Sequence, residues 1–268
     1  MRQKLLFLLL AVLAAGVFVL PLRAQTATSP VTDGTLRRIR VPILMYHYVS
    51  PLPEDADDIR IDLTVEPDLF RAHLQYLSEA GYSTISLYEL HDALLTGSRL
   101  PEKPVVLTFD DGYLDHYTQV FPLLQAHGFT ATFFIITGLA DANHPEHLSW
   151  AQIQTMAAAG MSIEAHSKSH SELDGRDYDF LVYEMLGSQE SLAAHLSYIP
   201  RMFSYPVGRY DSATLRVGSE MQLWRAVTTQ PGMLHTSDNQ FELPRVRVHG
   251  GTNVSGFAYL LEGRWLGN

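Results

Sequence analysis

The sequence of 268 residues predicts an α/β fold, a single (β/α) barrel. Short apolar runs with strand composition alternate with stretches of helical periodicity about seven times, which is typical of parallel strands covered by helices. No Gly-x-Gly-x-x-Gly follows the first strand, and this favours closure into a barrel over an open dinucleotide-binding sheet. Polar residues that can do chemistry cluster where the apolar runs stop, and the active site of such a barrel lies at the carboxyl ends of its strands.

The predicted elements follow one another from residue 41 onward. The first strand is VPILMY, and the helix after it begins at Pro67 and ends before Gly81, with apolar residues at helical spacing between them. The further predicted strands are STIS, PVVLTF, FTATFFIIT, MSIEA, RMFSY, RAVTTQPGM and LPRVRV. The further predicted helices lie in LYELHDALLTG, YLDHYTQVFPLLQAHG, LSWAQIQTMAAAG and residues 178–197.

The first 24 residues have the pattern of a secretory signal peptide. Arg2 and Lys4 precede an apolar run that ends at Leu22, and cleavage is expected after Ala24. Leu22 is a poor fit at the minus-three position, so an uncleaved membrane anchor is the alternative. Residues 25–40 are polar and are predicted to be a flexible tether before the domain at 41–268. We expect an exported protein, periplasmic or extracellular, that contacts a membrane only if the segment stays uncleaved.

The charge of the chain restricts its partners. Removal of residues 1–24 takes away three basic residues and no acids, so the net charge changes from −10 to −13. A protein this acidic is a poor partner for nucleic acid or an anionic membrane surface. The chain has no cysteine and hence no disulfides, and about 240 residues can build a sufficient core without them.

Three apolar runs stop at residues that suit a hydrolytic metal site. PVVLTF stops at Asp110 and Asp111, and MSIEA stops at His166, with His170 four residues on. VPILMY stops at His47. Two imidazoles and one carboxylate suit zinc, and also cobalt or nickel, while the other aspartate can act as a general base.

Each motif also has a plain structural explanation. Asp-Asp-Gly is common in turns, and a His-x-x-x-His pair can arise by chance in a chain of 12 histidines. Their joint placement after buried-strand patterns favours the metal site. The remaining histidines outside these motifs are predicted to lie at the surface or partly buried: His73, His91, His116, His127, His144, His147, His195 and His235.

TFDDG followed about 55 residues later by HSKSH resembles the polysaccharide deacetylases, a carbohydrate esterase family acting on chitin, peptidoglycan and related polymers. The resemblance covers roughly residues 41–262 and implies that residues 41–268 are a catalytic domain, a distorted (β/α) barrel with about seven strands. It implies that Asp110 is the catalytic base, and that one divalent metal ion, zinc first, is bound by Asp111, His166 and His170.

The third motif of the family resembles SYPVG, with one departure. The resemblance implies that the backbone N–H of Val207, close to Tyr205, binds the oxyanion. The family usually opens this motif with an arginine that holds the catalytic aspartate, and Ser204 stands there instead. Arg245 in LPRVRV is the candidate replacement, with Arg247 two residues on.

The last motif of the family, Leu-x-x-His, is expected near the carboxyl end, but here LMYH lies near the amino end. This resembles the circularly permuted branch that includes exported deacetylases of poly-β-1,6-N-acetylglucosamine. The resemblance implies that His47 is the general acid, which requires an acid nearby to keep it charged. The alternatives are that His47 is a core histidine, or that His249 is the acid although no leucine precedes it by three residues.

The resemblance implies a metal-dependent hydrolase that removes N-acetyl groups from an N-acetylglucosamine-containing envelope or extracellular polysaccharide and releases acetate. Tyr113, next to the aspartates, is the candidate to stack on a sugar ring. The alternatives are an O-acetyl esterase, a small cyclic amide hydrolase of the same fold, and a catalytically dead carbohydrate-binding module. A separate polymer-binding or export partner is a further expectation.

Overall fold

The computed structural model describes residues 32–263 and 265, and the predicted signal peptide at residues 1–24 lies outside them. The strands are β1 Arg38–Arg40, β2 Ile43–Tyr46, β3 Ser83–Thr84, β4 Pro104–Phe109, β5 Thr132–Ile135, β6 Ser162–Ala165, β7 Met202–Ser204, β8 Arg225–Pro231, β9 Leu234–Thr236 and β10 Leu243–Arg247. The helices are α1 Asp58–Leu63, α2 Pro67–Glu79, α3 Leu87–Thr96, α4 Phe121–His127, α5 Thr137–Asp141, α6 Trp150–Ala158, α7 Tyr178–His195, α8 Ser212–Glu220 and α9 Val254–Glu262. A π-helix, His116–Val120, precedes α4, and a 3₁₀ turn, Pro206–Gly208, follows β7.

Seven parallel strands close into a barrel, which confirms the predicted fold class. Their order around the ring is β2, β10, β8, β7, β6, β5 and β4, and a direct pairing of β4 with β2 completes it. The short strand β3 pairs in parallel with the first two residues of β4. Because β2 lies between β10 and β4, the first barrel strand in the sequence pairs with the last one.

The predicted tether is wrong at its carboxyl end. Its last three residues form β1, which pairs antiparallel with β9, Arg38 opposite Thr236. Ile39 is partly buried between two exposed arginines, so the short alternation in RIR is that of an edge strand. The part of the predicted tether before residue 32 lies outside the described residues.

Most helices pack an apolar face on the barrel and begin at signals visible in the sequence. Helix α2 has Pro67 in its first turn and buries Phe70, Leu74 and Leu77. Ser86 and Ser149 begin α3 and α6 with capping boxes. Within the described ranges, no helix is both long enough and apolar enough to cross a membrane.

Four of the histidines predicted to lie at the surface or partly buried are buried instead: His73, His91, His116 and His235. Their rings have hydrogen-bond partners that offset the cost of removing an imidazole from water. For example, Nε2 of His235 donates to the Val41 carbonyl at 2.8 Å. His127, His144, His147 and His195 are partly buried, as predicted.

Candidate active site

The carboxyl ends of the barrel strands surround one cleft of about 650 Å³. Strand β2 ends just before His47, β4 before Asp110 and β6 before His166. Eight of the nine predicted site residues line this cleft: His47, Asp110, Asp111, Tyr113, His166, His170, Tyr205 and Val207. Arg245, the ninth, is fully buried behind Asp110, whereas Arg247 lines the cleft.

Asp111, His166 and His170 form a compact group of metal-ligating atoms. The Oδ1 atom of Asp111 lies 3.2 Å from Nε2 of His166 and 3.2 Å from Nε2 of His170. Asp111 and His170 both have left-handed backbone conformations, with φ of 75° and 61°. Such conformations are unfavourable for residues other than glycine and persist where the surrounding structure holds them, which is common at functional sites.

The protonation pattern of the group fits a bound cation. The Nδ1 atom of His166 lies 2.7 Å from the Ser204 carbonyl oxygen, and because a carbonyl only accepts, Nδ1 carries the proton. In the neutral ring, Nε2 is therefore an acceptor, and it faces Asp111 Oδ1, itself buried and without a hydrogen-bond donor among the described residues. Two acceptors at 3.2 Å repel each other unless a positive charge lies between them. Two imidazoles and a carboxylate are the donor set of zinc, cobalt and nickel sites.

Glu184 holds the loop that carries the two histidines, residues 166–170. This carboxylate on α7 is buried and accepts hydrogen bonds from the backbone N–H groups of Lys168, at 3.0 Å, and Ser169, at 2.9 Å. It also accepts from the Ser169 hydroxyl at 2.7 Å. The sequence reasoning missed Glu184. The sequence does contain a signal for it: Glu184 follows Leu181 by three positions, so this charged residue lies on the buried face of α7.

Asp110 and Arg245 form a buried bidentate ion pair. The guanidinium donates to both carboxylate oxygens, at 2.8 and 2.6 Å, and the two side chains are 3% and 0% exposed. Ser204 Oγ donates to Asp110 at 3.3 Å and accepts from Arg245 at 3.1 Å. Burial disfavours the charged carboxylate, but the Arg245 charge and hydrogen bonds outweigh it and hold the pKa of Asp110 below its usual value.

The His47 imidazole faces the same cleft, and no side chain among residues 32–263 forms a hydrogen bond with it. Burial lowers the pKa of His47 to about 4, against the opposing charges of Asp111 and Asp110. Within the described part of the chain, the acid expected beside His47 is therefore represented by Asp111 and Asp110, which act on the ring through space. His249, the competing candidate, lies outside the cleft lining and pairs with Asp62 at 2.7 Å on the exposed surface.

The segment after β7 presents a strained turn to the cleft. Val207 has a φ of 58°, which is rare for a β-branched residue, and its side chain is 57% exposed. Tyr205 is buried, stacks on Tyr210 at 4.5 Å, and has no hydrogen-bond partner for its hydroxyl among the described residues. Gly208 is required here, because a Cβ at this position would collide with the Thr229 side chain.

Tyr113 is less accessible for sugar stacking than the sequence reasoning assumed. Tyr48 stacks on it with ring centroids 3.7 Å apart, and the Arg60 guanidinium lies 3.2 Å from the centroid of the Tyr48 ring. One face of Tyr113 is therefore covered, and the rings of His147 and His116 also lie near it, with centroids 5.1 and 5.9 Å away. Tyr48, Arg60 and helix α1 all line the cleft but were not predicted, because the short polar α1 lacks a clear apolar period.

The comparisons with known proteins identify the family of the chain. The family model for polysaccharide deacetylase matches residues 97–225. The chain is 34% identical over 228 residues to YxkH of Bacillus subtilis, a protein named for the same family, and the match covers 85% of this chain and 78% of YxkH. The chain belongs to the polysaccharide deacetylase family.

Two further matches extend the comparison. The structure is similar to that of the Streptococcus pyogenes deacetylase PplD in complex with acetate, with a TM-score of 0.78 and 30% identity over 84% of this chain and 99% of that chain. Poly-β-1,6-N-acetyl-D-glucosamine N-deacetylase of Escherichia coli K12 is 42% identical over 88 residues, which cover 33% of this chain and 13% of that protein.

Proposed function

We propose that the protein is a divalent-metal-dependent hydrolase that removes N-acetyl groups from an exported N-acetylglucosamine polymer and releases acetate. One observation carries the proposal. A buried carboxylate held by an arginine, a three-residue metal group and an imidazole line a single cleft at the carboxyl ends of the barrel strands. Metal-assisted amide hydrolysis needs these functions together.

The metal group is Asp111, His166 and His170, with zinc as our first candidate and cobalt or nickel as alternatives. When bound there, a divalent ion would polarise the acetyl carbonyl and lower the pKa of a water molecule. The hydrogen bond from His166 to the Ser204 carbonyl fixes the tautomer that presents Nε2 to the ion.

The other residues handle the protons and the developing charge. Asp110, ionised at neutral pH, accepts a proton from the water that attacks the acetyl carbon. The backbone N–H of Val207 donates to the oxygen that gains negative charge. In its protonated form, His47 delivers a proton to the sugar nitrogen as the carbon–nitrogen bond breaks, so the products are acetate and an amine. Burial disfavours this form, and the charges of Asp111 and Asp110 favour it.

The polymer is proposed from similarity and charge. The E. coli relative is named for poly-β-1,6-N-acetyl-D-glucosamine, although the match covers only part of each protein. The amine product is cationic at neutral pH, and the chain carries a net charge of −10. Export would place the enzyme with such a polymer, and a separate protein could supply further polymer binding.

The test measures acetate release from β-1,6- and β-1,4-linked N-acetylglucosamine oligomers. The protein is stripped of metal, reloaded with zinc, cobalt or nickel, and compared with Asp110→Asn, which keeps the side-chain shape but removes the base. We expect metal-dependent release from wild type and loss of at least about 100-fold in the variant, with metal still bound. Release from an O-acetylated sugar alone would support the esterase alternative, and a protein that binds no metal would overturn the proposal.

A further inference from the structure

The backbone at the carboxyl end of β2 determines where His47 lies. No described side chain forms a hydrogen bond with its imidazole, and the neighbouring carboxylates act on it only through space. The buried His116 donates a hydrogen bond to the backbone carbonyl oxygen of His47. Groups that hold residues 47–49 therefore control the position of the ring.

His116 holds the His47 carbonyl. Its Nε2 atom lies 2.7 Å from that oxygen and must donate, because a carbonyl only accepts. His116 is fully buried, and its ring packs against Phe109 and Phe133 with centroids 5.4 and 5.6 Å away. It begins the π-helix His116–Val120, a rare conformation that often marks functional sites.

Asp115 holds the same segment two residues further on. Its Oδ2 atom accepts a hydrogen bond from the backbone N–H of Val49 at 3.0 Å, and the side chain is only 12% exposed. Its Oδ1 atom lies 3.7 Å from Nε2 of His116, so the two side chains contact the strand end side by side.

We propose that Asp115 and His116 are positioning residues that aim His47 at the leaving nitrogen by fixing the backbone of residues 47–49. This inference rests on the proposed role of His47 as the proton donor. Misplacement of a reacting group by about 1 Å can cost roughly 100-fold in rate, and general acid catalysis contributes about 100- to 10,000-fold. Loss of one anchor should therefore lower kcat without removing the metal or the substrate site.

The same strand offers a matched control at its other end. His235 is also fully buried, and its Nε2 donates to the Val41 carbonyl at 2.8 Å, just before β2. His116→Leu and His235→Leu thus remove the same kind of hydrogen bond from the two ends of one strand. A purely structural role predicts similar losses of stability and similar activities for the two variants.

The experiment compares His116→Leu, His116→Gln and His235→Leu on an N-acetylglucosamine oligomer and on 4-nitrophenyl acetate, whose leaving group needs no proton. We expect His116→Leu to lower kcat on the oligomer about 10- to 100-fold, with KM within about threefold and the ester rate within about threefold. His116→Gln, whose amide can reach the same carbonyl, should lie within about fivefold of wild type on both substrates. His235→Leu should keep the wild-type ratio of oligomer to ester rates, and an equal ratio in both leucine variants would overturn the inference.

A second readout separates this inference from the proposed function. If wild type releases no acetate from any oligomer, the proposed function fails, and hydrogen exchange at the Val49 amide then decides the structural claim. Asp115→Ala should speed this exchange at least about tenfold relative to wild type, and His235→Leu should leave it within about threefold. Unchanged exchange in Asp115→Ala would show that the anchor does not hold the segment.

Discussion

Replacing Arg245 by serine tests how the proposed base is kept ionised. Arg245 is the only ion-pair partner that the described residues provide for Asp110, through hydrogen bonds of 2.8 and 2.6 Å. In Arg245→Ser, the carboxylate would remain buried without the guanidinium charge and its two hydrogen bonds. In the wild type, burial raises the pKa of Asp110 and Arg245 lowers it. Without the arginine, the effect of burial would dominate.

The expected magnitudes follow from this burial. Removing one partner of a buried pair typically destabilises a protein by about 3–5 kcal/mol. A buried carboxyl group without a partner can have its pKa raised by up to about 3–5 units, which would bring Asp110 to roughly 7–9. At pH 7 the ionised fraction would fall to between about a half and a hundredth, and kcat would fall in proportion.

The assay is the pH dependence of acetate release, with stability followed by urea unfolding. A raised carboxyl pKa means that the base is protonated up to a higher pH, so the acid limb of the kcat profile should move upward and the rate should recover toward pH 9. An acid limb at the wild-type pH in a folded Arg245→Ser variant would refute the reasoning, because another group would then keep Asp110 ionised.

A double variant guards against simple unfolding. Ser204 contacts both members of the pair and stands where the family usually has its arginine. Ser204→Arg combined with Arg245→Ser returns the guanidinium to that position at nearly constant volume. We expect the double variant to have a kcat at least about tenfold higher than that of Arg245→Ser. The acid limb of its kcat profile should also move back to a lower pH.

Three further predictions concern the loop of residues 166–170 and the buried histidines. Glu184→Gln removes the charge that holds this loop and should weaken zinc affinity about 10- to 100-fold in a competition titration. Gly138→Ala should have a similar effect, because its Cβ would lie 2.5 Å from a loop carbonyl oxygen; unchanged affinity in both would contradict this account of the loop. Burial lowers the pKa values of His73 and His235 to about 4, so their stabilising effect is full above about pH 6.5 and is lost as the pH falls toward 4. These two histidines should account for roughly 2 kcal/mol of the stability lost between pH 6 and 5 in urea unfolding, so the loss should be smaller by about that amount in a His73→Gln/His235→Gln variant, and an equal slope in both proteins would argue against it.

The barrel could be predicted because its strands are buried on both faces. Such strands appear as largely apolar runs, and this holds best for β2, β4 and β5. The strands β8 and β10 contain more polar residues and are only partly buried, but they too lie in predicted strands. The missed elements have weaker patterns. Strand β1 has three residues and α1 has six, so neither shows a full period of hydrophobicity. Helices α8 and α9 were also missed, although Asp211 and Asn253 cap them.

The candidate site was predicted where side chains follow strands directly, and missed where support comes from elsewhere in the chain. Asp110, Asp111 and His166 lie at strand ends, so their convergence follows from the topology. Glu184 and His116 act on the backbone of distant segments, and a hydrogen bond to a backbone atom leaves no pattern in the sequence of the segment it holds. His116 is buried at the start of the π-helix, a conformation that the apolar spacing does not reveal.

The position of β2 links barrel closure to the proposed chemistry. His47 follows β2, and Arg245 lies on β10. The two residues are far apart in the chain, but β2 and β10 are neighbouring strands, with Leu44 opposite Val246. On its other side β2 pairs with β4, which ends just before Asp110, and the Asp110 N–H donates to the Tyr46 carbonyl at 3.0 Å. A change that loosens β2 would displace the proposed acid and leave the Asp110–Arg245 pair without the strand between β4 and β10. We therefore expect destabilising substitutions along β2 to lower activity before the barrel unfolds, whereas equal destabilisation on β6 should act first on metal affinity.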